Sequence, residues 1–215
     1  MSVRVKVCGL RRPGDATVAI EAGAAYLGVV YAGGPRTVTD REAKGIVEVA
    51  EGRPVLAVWG APDLDAILRA RDAAGFHGVQ LHGGSDASLV ASLRSNGLIV
   101  WRVARLSGPD DLAALSALCE GADAVLVEPR VPGREGGTGV ALDLDLARRA
   151  RDRSDPRTPF ALAGGLTPTT VAAAIRAVRP DIVDVSSGVE SAPGVKDPHL
   201  IRTFLEKALA DHSPP

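Results

Sequence analysis

The sequence is poor in aromatics, cysteine, net charge and long apolar runs. Its 215 residues hold only two Trp, two Tyr, three Phe and two Cys, and 25 Lys and Arg balance 26 Asp and Glu. Two cysteines make no disulfide framework. A chain with neither a basic excess nor stacking aromatics argues against a dedicated nucleic-acid binder. No apolar run approaches the ~20 residues that cross a bilayer, and the opening MSVRVKV lacks the apolar stretch of a secretory signal. These absences point to a reduced, cytoplasmic protein with neither nucleic acid nor membrane as partner. Disorder is excluded, because 46% of the residues are hydrophobic while the net charge is only −1. The length suits one domain over 1–215.

What is abundant is Ala, Val, Leu and Gly. Short, nearly continuous apolar runs recur at 3–7, 26–31, 55–58, 78–81, 99–103, 124–127, 160–163 and 182–185. Runs of this kind suit parallel strands buried on both faces. Between them, helical spacing appears at 14–23, 40–51, 63–74, 86–95, 109–119, 143–152, 168–178 and 198–211. Thr39 with Glu42 reads as a capping box. Thr167–Pro168 and Asp197–Pro198 each put a capping residue before a proline at the first helical position. Gly23, Gly52, Gly75, Gly97 and Gly121 stand where helices end on glycine. Eight strand–helix units of about 27 residues predict an α/β fold, a closed single-domain (β/α)8 TIM barrel. An open doubly wound sheet would need a GxGxxG turn, and after the first strand the chain reads Cys8-Gly9-Leu10-Arg11-Arg12.

A barrel places its chemistry at the C-terminal ends of its strands. Those positions give Cys8, Arg36, Trp59, His82, Arg105, Glu128, Gly164–Gly165 and Ser186–Ser187–Gly188. The last two turns lack bulky side chains, so their backbone N–H groups can close on an anion; Gly164, Gly165, Ser187 and Gly188 are the expected phosphate cup, against the plainer reading of two tight turns. Cys8 reads either as a small buried residue or as a thiol base or nucleophile. Cys119, ending a helix behind Leu115 and Leu118, reads as core. Glu128 is either a solvated loop carboxylate or the acid of an acid/base pair. The Arg36 fork suits a ligand carboxylate or phosphate, or a surface position.

The segments Lys6-Val-Cys-Gly-Leu10, Gly34-Pro-Arg36, Val79-Gln-Leu-His-Gly83, Gly136-Gly-Thr-Gly139, Leu162-Ala-Gly-Gly-Leu166 and Val183-Asp-Val-Ser-Ser-Gly-Val-Glu190 occur in this order. Together, from residue 3 to about 204, they resemble the phosphoribosylanthranilate isomerases of tryptophan biosynthesis. The resemblance implies an Amadori rearrangement of N-(5′-phosphoribosyl)anthranilate to the aminoketose, without metal or organic cofactor. It implies Cys8 as the general base at C2′ and the carboxyl at the end of the sixth strand as the acid that opens the ring. It further implies Arg36 on the anthranilate carboxylate, His82 and Asp184 near the sugar, and the glycine turns on the phosphate. The only partner expected is this small phosphosugar, and the chain is expected to be a monomer.

Three departures accompany the match. The acid is Glu128 where the family has Asp, with Pro129 behind it and a loop counted as one residue longer. Gly34 replaces a Ser, and Trp59 a smaller aromatic. Glu135, beside the glycine motif, is the rival acid. A non-catalytic or substrate-shifted phosphosugar-binding barrel is the alternative reading, and would keep the cup while Glu128 points away. The related histidine-pathway isomerase would carry Asp in place of Cys8. An indole-forming barrel would need a Lys or Glu absent from the first two strand ends. Covalent catalysis by Cys8 would need a histidine beside it.

Overall fold

A computed structural model describes residues 3–60, 63–82, 86–130 and 141–210. Eight parallel strands close in sequence order: β1 (Arg4–Val7), β2 (Tyr26–Val30), β3 (Val55–Trp59), β4 (Gly78–Leu81), β5 (Ile99–Leu106), β6 (Ala124–Pro129), β7 (Phe160–Leu162) and β8 (Ile182–Val185). The helices are α1 (Pro13–Glu21), α2 (Asp40–Glu48), α3 (Leu64–Ala74), α4 (Ala87–Ser95), α5 (Leu115–Cys119), α6 (Leu144–Arg153), α7 (Val171–Val178) and α8 (Pro198–Leu209). The predicted single barrel is the observed fold.

Strand alternation sorts the side chains. Val5, Val7, Leu27, Val29, Val79, Leu81, Val125 and Val127 face outward and join the helix-facing core with Ile46, Leu93, Phe204 and Leu205. Fully burying one such side chain contributes about 1.5–3 kcal/mol. The intervening residues face the barrel axis, where Leu56, Trp101, Val103, Leu126, Ala161 and Ile182 pack together. The same alternation sends Lys6, Gln80 and Asp184 inward, and their hydrogen bonds across the barrel fill its middle.

Local signals act as expected in most places. Thr39 accepts from the Glu42 N–H while Glu42 accepts from the Thr39 N–H, completing the box at α2. Asp197 accepts from the N–H groups of His199 and Leu200 at α8. Gly75, at φ 81°, ends α3 by donating to Arg71 O.

Elsewhere the structure differs from the sequence reading. Residues 168–170 form a turn before α7 rather than its first helical residues. The threonine hydroxyls compete for the backbone there, and Thr170 Oγ1 accepts from the Thr167 N–H. The segment 109–119 divides into a tight 3-10 turn over Pro109–Ala114 and the short α5, because the Asp111 carboxylate draws the N–H groups of Ser107 and Gly108 onto itself. Beyond β8 a hairpin appears, β9 (Glu190–Ala192) with β10 (Val195–Lys196), which the sequence reading left out.

Candidate active site

Cys8 follows β1 directly, and its N–H donates to Val185 O on β8. Gly28 on β2 makes room for the thiol: a Cβ at 28 would stand 2.8 Å from Sγ. Below it Lys6, 0% exposed, donates to Asp184 Oδ1 at 2.7 Å and to Gln80 Oε1 at 2.9 Å. A buried ammonium is tolerable only with such partners. Burial pushes the Cys8 thiol above its ordinary range; the Lys6 charge pulls it back, and Asp184 adds to the rise. Lys6 is itself pushed down by burial, but Asp184 and Cys8 outweigh this and hold it firmly protonated.

Glu128 lies on the strand. Sequence patterning ended β5 at 103 and β6 at 127, yet both run further because Arg105 pairs with Glu128 and Leu106 with Pro129, and the Arg130 N–H donates to Leu106 O. A Cβ at Gly164 would strike the Pro129 ring, so this sixth-strand end also needs glycine at the seventh. The Glu128 carboxyl is buried beside Arg105 Nε (3.2 Å) and His82 Nδ1 (3.4 Å). Burial raises it to about 7, with Arg105 opposing and Asp184 adding to the rise. His82 is lowered to about 3 by burial and by the charges of Arg105 and Lys6, so its contact with Glu128 is no ion pair. His82 therefore stands with the carboxyl rather than with the thiol, and covalent catalysis by a Cys8–His82 pair has no support.

Arg36 crosses the turn at Gly9, where a Cβ would meet Arg36 Cδ at 2.7 Å and Ser186 Oγ at 2.9 Å. Its Nε and Nη2 donate to the two carboxylate oxygens of Glu190, each at 2.8 Å. Lys196 also donates to Glu190 (2.8 Å) and to Ser186 O (2.9 Å). Burial acts to raise Glu190, but Arg36 and Lys196 prevail and lower it. Arg36 thus stands at the mouth with its fork held by the hairpin.

The two glycine turns meet. Gly164 and Gly165 take φ of 96° and 64°, which glycine alone adopts freely. A Cβ at Gly188 would collide with Leu166 O, so the backbone at Gly188 lies directly against Leu166 and Thr167, just beyond the Gly164–Gly165 turn. Trp59, at the end of β3, stacks on Tyr31 with ring centres 4.9 Å apart. Glu135, the Gly136–Gly139 motif and the counted extra loop residue lie outside the described residues. Among the described residues no group of three His, Cys, Asp or Glu side chains could hold a metal ion.

Sequence reasoning missed Lys6, Gln80, Glu190, Lys196 and the role of Arg105. Lys6 and Gln80 were readable, since each precedes a mouth residue by two and must face the same way. The Pro193–Gly194 turn signal could have shown the hairpin that carries Glu190 and Lys196.

A thiol over a buried lysine, a carboxyl titrating near neutrality and a glycine-built loop pair at one barrel mouth define a (β/α)8 enzyme of the acid/base type. The N-(5′-phosphoribosyl)anthranilate (PRA) isomerase family matches residues 5–207. An N-(5′-phosphoribosyl)anthranilate isomerase of Symbiobacterium thermophilum is 39% identical over 95% of this chain and 97% of its own. The Thermotoga maritima isomerase, described as dimeric and solved as generated monomers, superposes with a TM-score of 0.82 at 32% identity, covering 96% of this chain and 98% of its own. A phosphoribosyl anthranilate isomerase in complex with reduced 1-(o-carboxyphenylamino)-1-deoxyribulose 5-phosphate superposes at 0.83 and 30% identity, with the same coverage. The chain belongs to the PRA isomerase family.

Proposed function

We propose that this chain isomerises N-(5′-phosphoribosyl)anthranilate to 1-(2-carboxyphenylamino)-1-deoxyribulose 5-phosphate in tryptophan biosynthesis, with Cys8 as base and Glu128 as acid and with no cofactor. Glu128 gives its proton to the furanose ring oxygen; the ring opens, and the nitrogen lone pair forms the C1′ iminium. The Cys8 thiolate then takes the C2′ proton, and the electron pair neutralises the iminium to an enol-amine. Loss of the O2′ proton and gain of one at C1′ complete the ketose. Gly164, Gly165, Ser187 and Gly188 hold the phosphate, Arg36 faces the anthranilate carboxylate, and His82 and Asp184 border the sugar.

The observation that carries this reading is the Glu128 carboxyl, buried at the mouth and half-protonated near pH 7. A binding barrel that had lost its acid would turn this residue away; here it is inward, with His82 and Arg105 on it. Because the thiol titrates above the carboxyl, the working pair of thiolate and carboxylic acid is the minority state at every pH. The rate then rises up to about pH 7 with Glu128 and falls at the higher pKa of Cys8. Fluorescence loss from phosphoribosylanthranilate on adding the purified chain tests the activity; saturable binding without turnover would overturn it.

The proposal includes a cytoplasmic monomer. Both cysteines are free, which suits a reducing compartment, and no described helix is long and apolar enough to cross a membrane. Cell fractionation tests the location. Sedimentation tests the monomer, and a mass of two chains would overturn it.

A further inference from the structure

Glu128 carries one methylene more than an aspartate would at the same strand position. A longer arm has an extra rotatable bond and reaches further. A carboxyl free to swing by an ångström delivers its proton poorly, so something must fix it.

The neighbouring strand supplies the means. Arg105 is the direct register partner of Glu128 across the β5–β6 ladder, so both side chains rise on the same face. The Arg105 guanidinium is forked between two acceptors: Nε donates to Glu128 Oε1 at 3.2 Å and Nη2 meets His82 Nδ1 at 3.1 Å. An arginine is always a donor, so Nδ1 of His82 must accept. The imidazole is then neutral with its proton on Nε2, in one tautomer and one orientation. Arg105 has a buttress as well: its carbonyl accepts from Arg130 Nη2, whose guanidinium is held by Asp111 at 3.0 Å. Of the three clustered side chains Arg105 is the most open, 23% exposed against 9% for each of the others.

We propose that Arg105 is the positioning residue of the general acid: it pins Oε1 of Glu128 toward β5 and His82, leaving Oε2 to carry the proton to the ring oxygen. The inference rests on the acid role given to Glu128 above and adds the residue through which a glutamate fills it. His82 acts in the same assembly as a fixed neutral acceptor that keeps the guanidinium in plane. Four groups face the carboxyl: Arg105 from β5, His82 beyond β4, Lys6 from β1 and Asp184 from β8. Arg105 is the strongest of those that favour its ionised form. Removing it raises the carboxyl's pKa and frees its arm together.

The test compares Arg105→Leu, Arg105→Lys and Glu128→Gln in the full chain with phosphoribosylanthranilate. Arg105→Leu enlarges the thiolate–acid fraction by raising the carboxyl, yet the freed arm is expected to outweigh this and lower the plateau kcat roughly 10–100-fold net, with KM changed less than about threefold. The limb of the pH profile that Glu128 sets near pH 7 moves to higher pH. Arg105→Lys restores the limb, because the charge returns, but only part of kcat, because the fork does not. A ¹³C NMR titration of the Glu128 carboxyl in the unliganded chain shows the same shift and its reversal. A kcat loss with an unmoved limb, or a loss confined to KM, overturns the proposal. Should the leucine variant not fold, Arg105→Gln takes its place with the same expectations. Full turnover in Glu128→Gln would sink the acid assignment itself; an inactive Glu128→Gln beside an Arg105→Leu of unchanged rate and profile would sink only the role of Arg105.

Discussion

The two halves of the barrel mouth are built differently. On the β1–β8 side, Cys8 sits above a fully buried Lys6 whose hydrogen bonds end on β4 and β8, and Arg36, Glu190 and Lys196 close the rim with short ion pairs. On the β4–β6 side, Glu128 depends on one partly exposed arginine and one neutral histidine. The first half is held by a buried charge pair, and breaking it would leave an uncompensated charge inside the barrel. The second half is held at its edge, by a guanidinium that is 23% exposed. The long carboxyl arm of Glu128 falls in the half whose partner reaches into solvent.

The largest break in this comparison is at the thiol. Cys8→Ala should nearly abolish turnover while fold and phosphosugar binding survive; Cys8→Ser should be almost as poor, because an alcohol is the weaker base. Near-normal rates in the alanine variant, read by fluorescence, would remove Cys8 from the mechanism.

Glu128→Gln keeps the shape and loses the proton, and should cost roughly 10²–10⁴ in kcat. Glu128→Asp sharpens the contrast: with Arg105 set for the longer arm, the shorter carboxyl should fall short and the rate should drop. A rate held or raised would show the strand already placed for an aspartate. Glu135→Gln should cost much less than Glu128→Gln, and the reverse order would move the acid to the glycine-rich loop.

A smaller effect is expected at the rim. Arg36→Lys loses the two-bond hold on Glu190 and, with it, the Nη1 donor which that pairing leaves for the substrate carboxylate, and should weaken substrate binding by about 1–3 kcal/mol. Binding of a pentose phosphate lacking the anthranilate ring should hardly change; equal losses for both, measured calorimetrically, would place Arg36 on the phosphate or in a purely structural role.

The last effect falls on stability and leaves catalysis aside. Glu128 is raised in the folded chain from an ordinary value near 4.5 to about 7. Its neutral form is therefore favoured by folding at low pH, and that advantage is lost as pH rises through about 7. Glu128→Gln should match the parent below pH 4.5 and exceed it by on the order of 3 kcal/mol above pH 8. Parallel denaturant titrations at pH 4 and pH 8.5 check this, and equal gaps at both would refute it.

The barrel was legible because short, nearly continuous apolar runs and helix caps are local. So were Cys8 and Glu128, each directly beyond an apolar run. The partners of these residues were not legible in the same way. Arg105 meets Glu128 only because two strand ends extend each other, and Lys6 meets Asp184 across 178 positions of chain. Strand register decides both, and no composition window contains it. The turn at 167–170 failed for a local reason: three threonine hydroxyls outweighed the proline signal.

The bond between Lys6 and Asp184 joins the first strand to the last. On the ribosome, the ammonium is synthesised 178 residues before its counter-charge. Until residue 184 has emerged, a collapsed nascent barrel would enclose an uncompensated cation. Closure is therefore deferred until β8 has emerged, and a chain truncated before β8 should remain open and be handed to chaperones or proteases rather than persist as a near-native barrel.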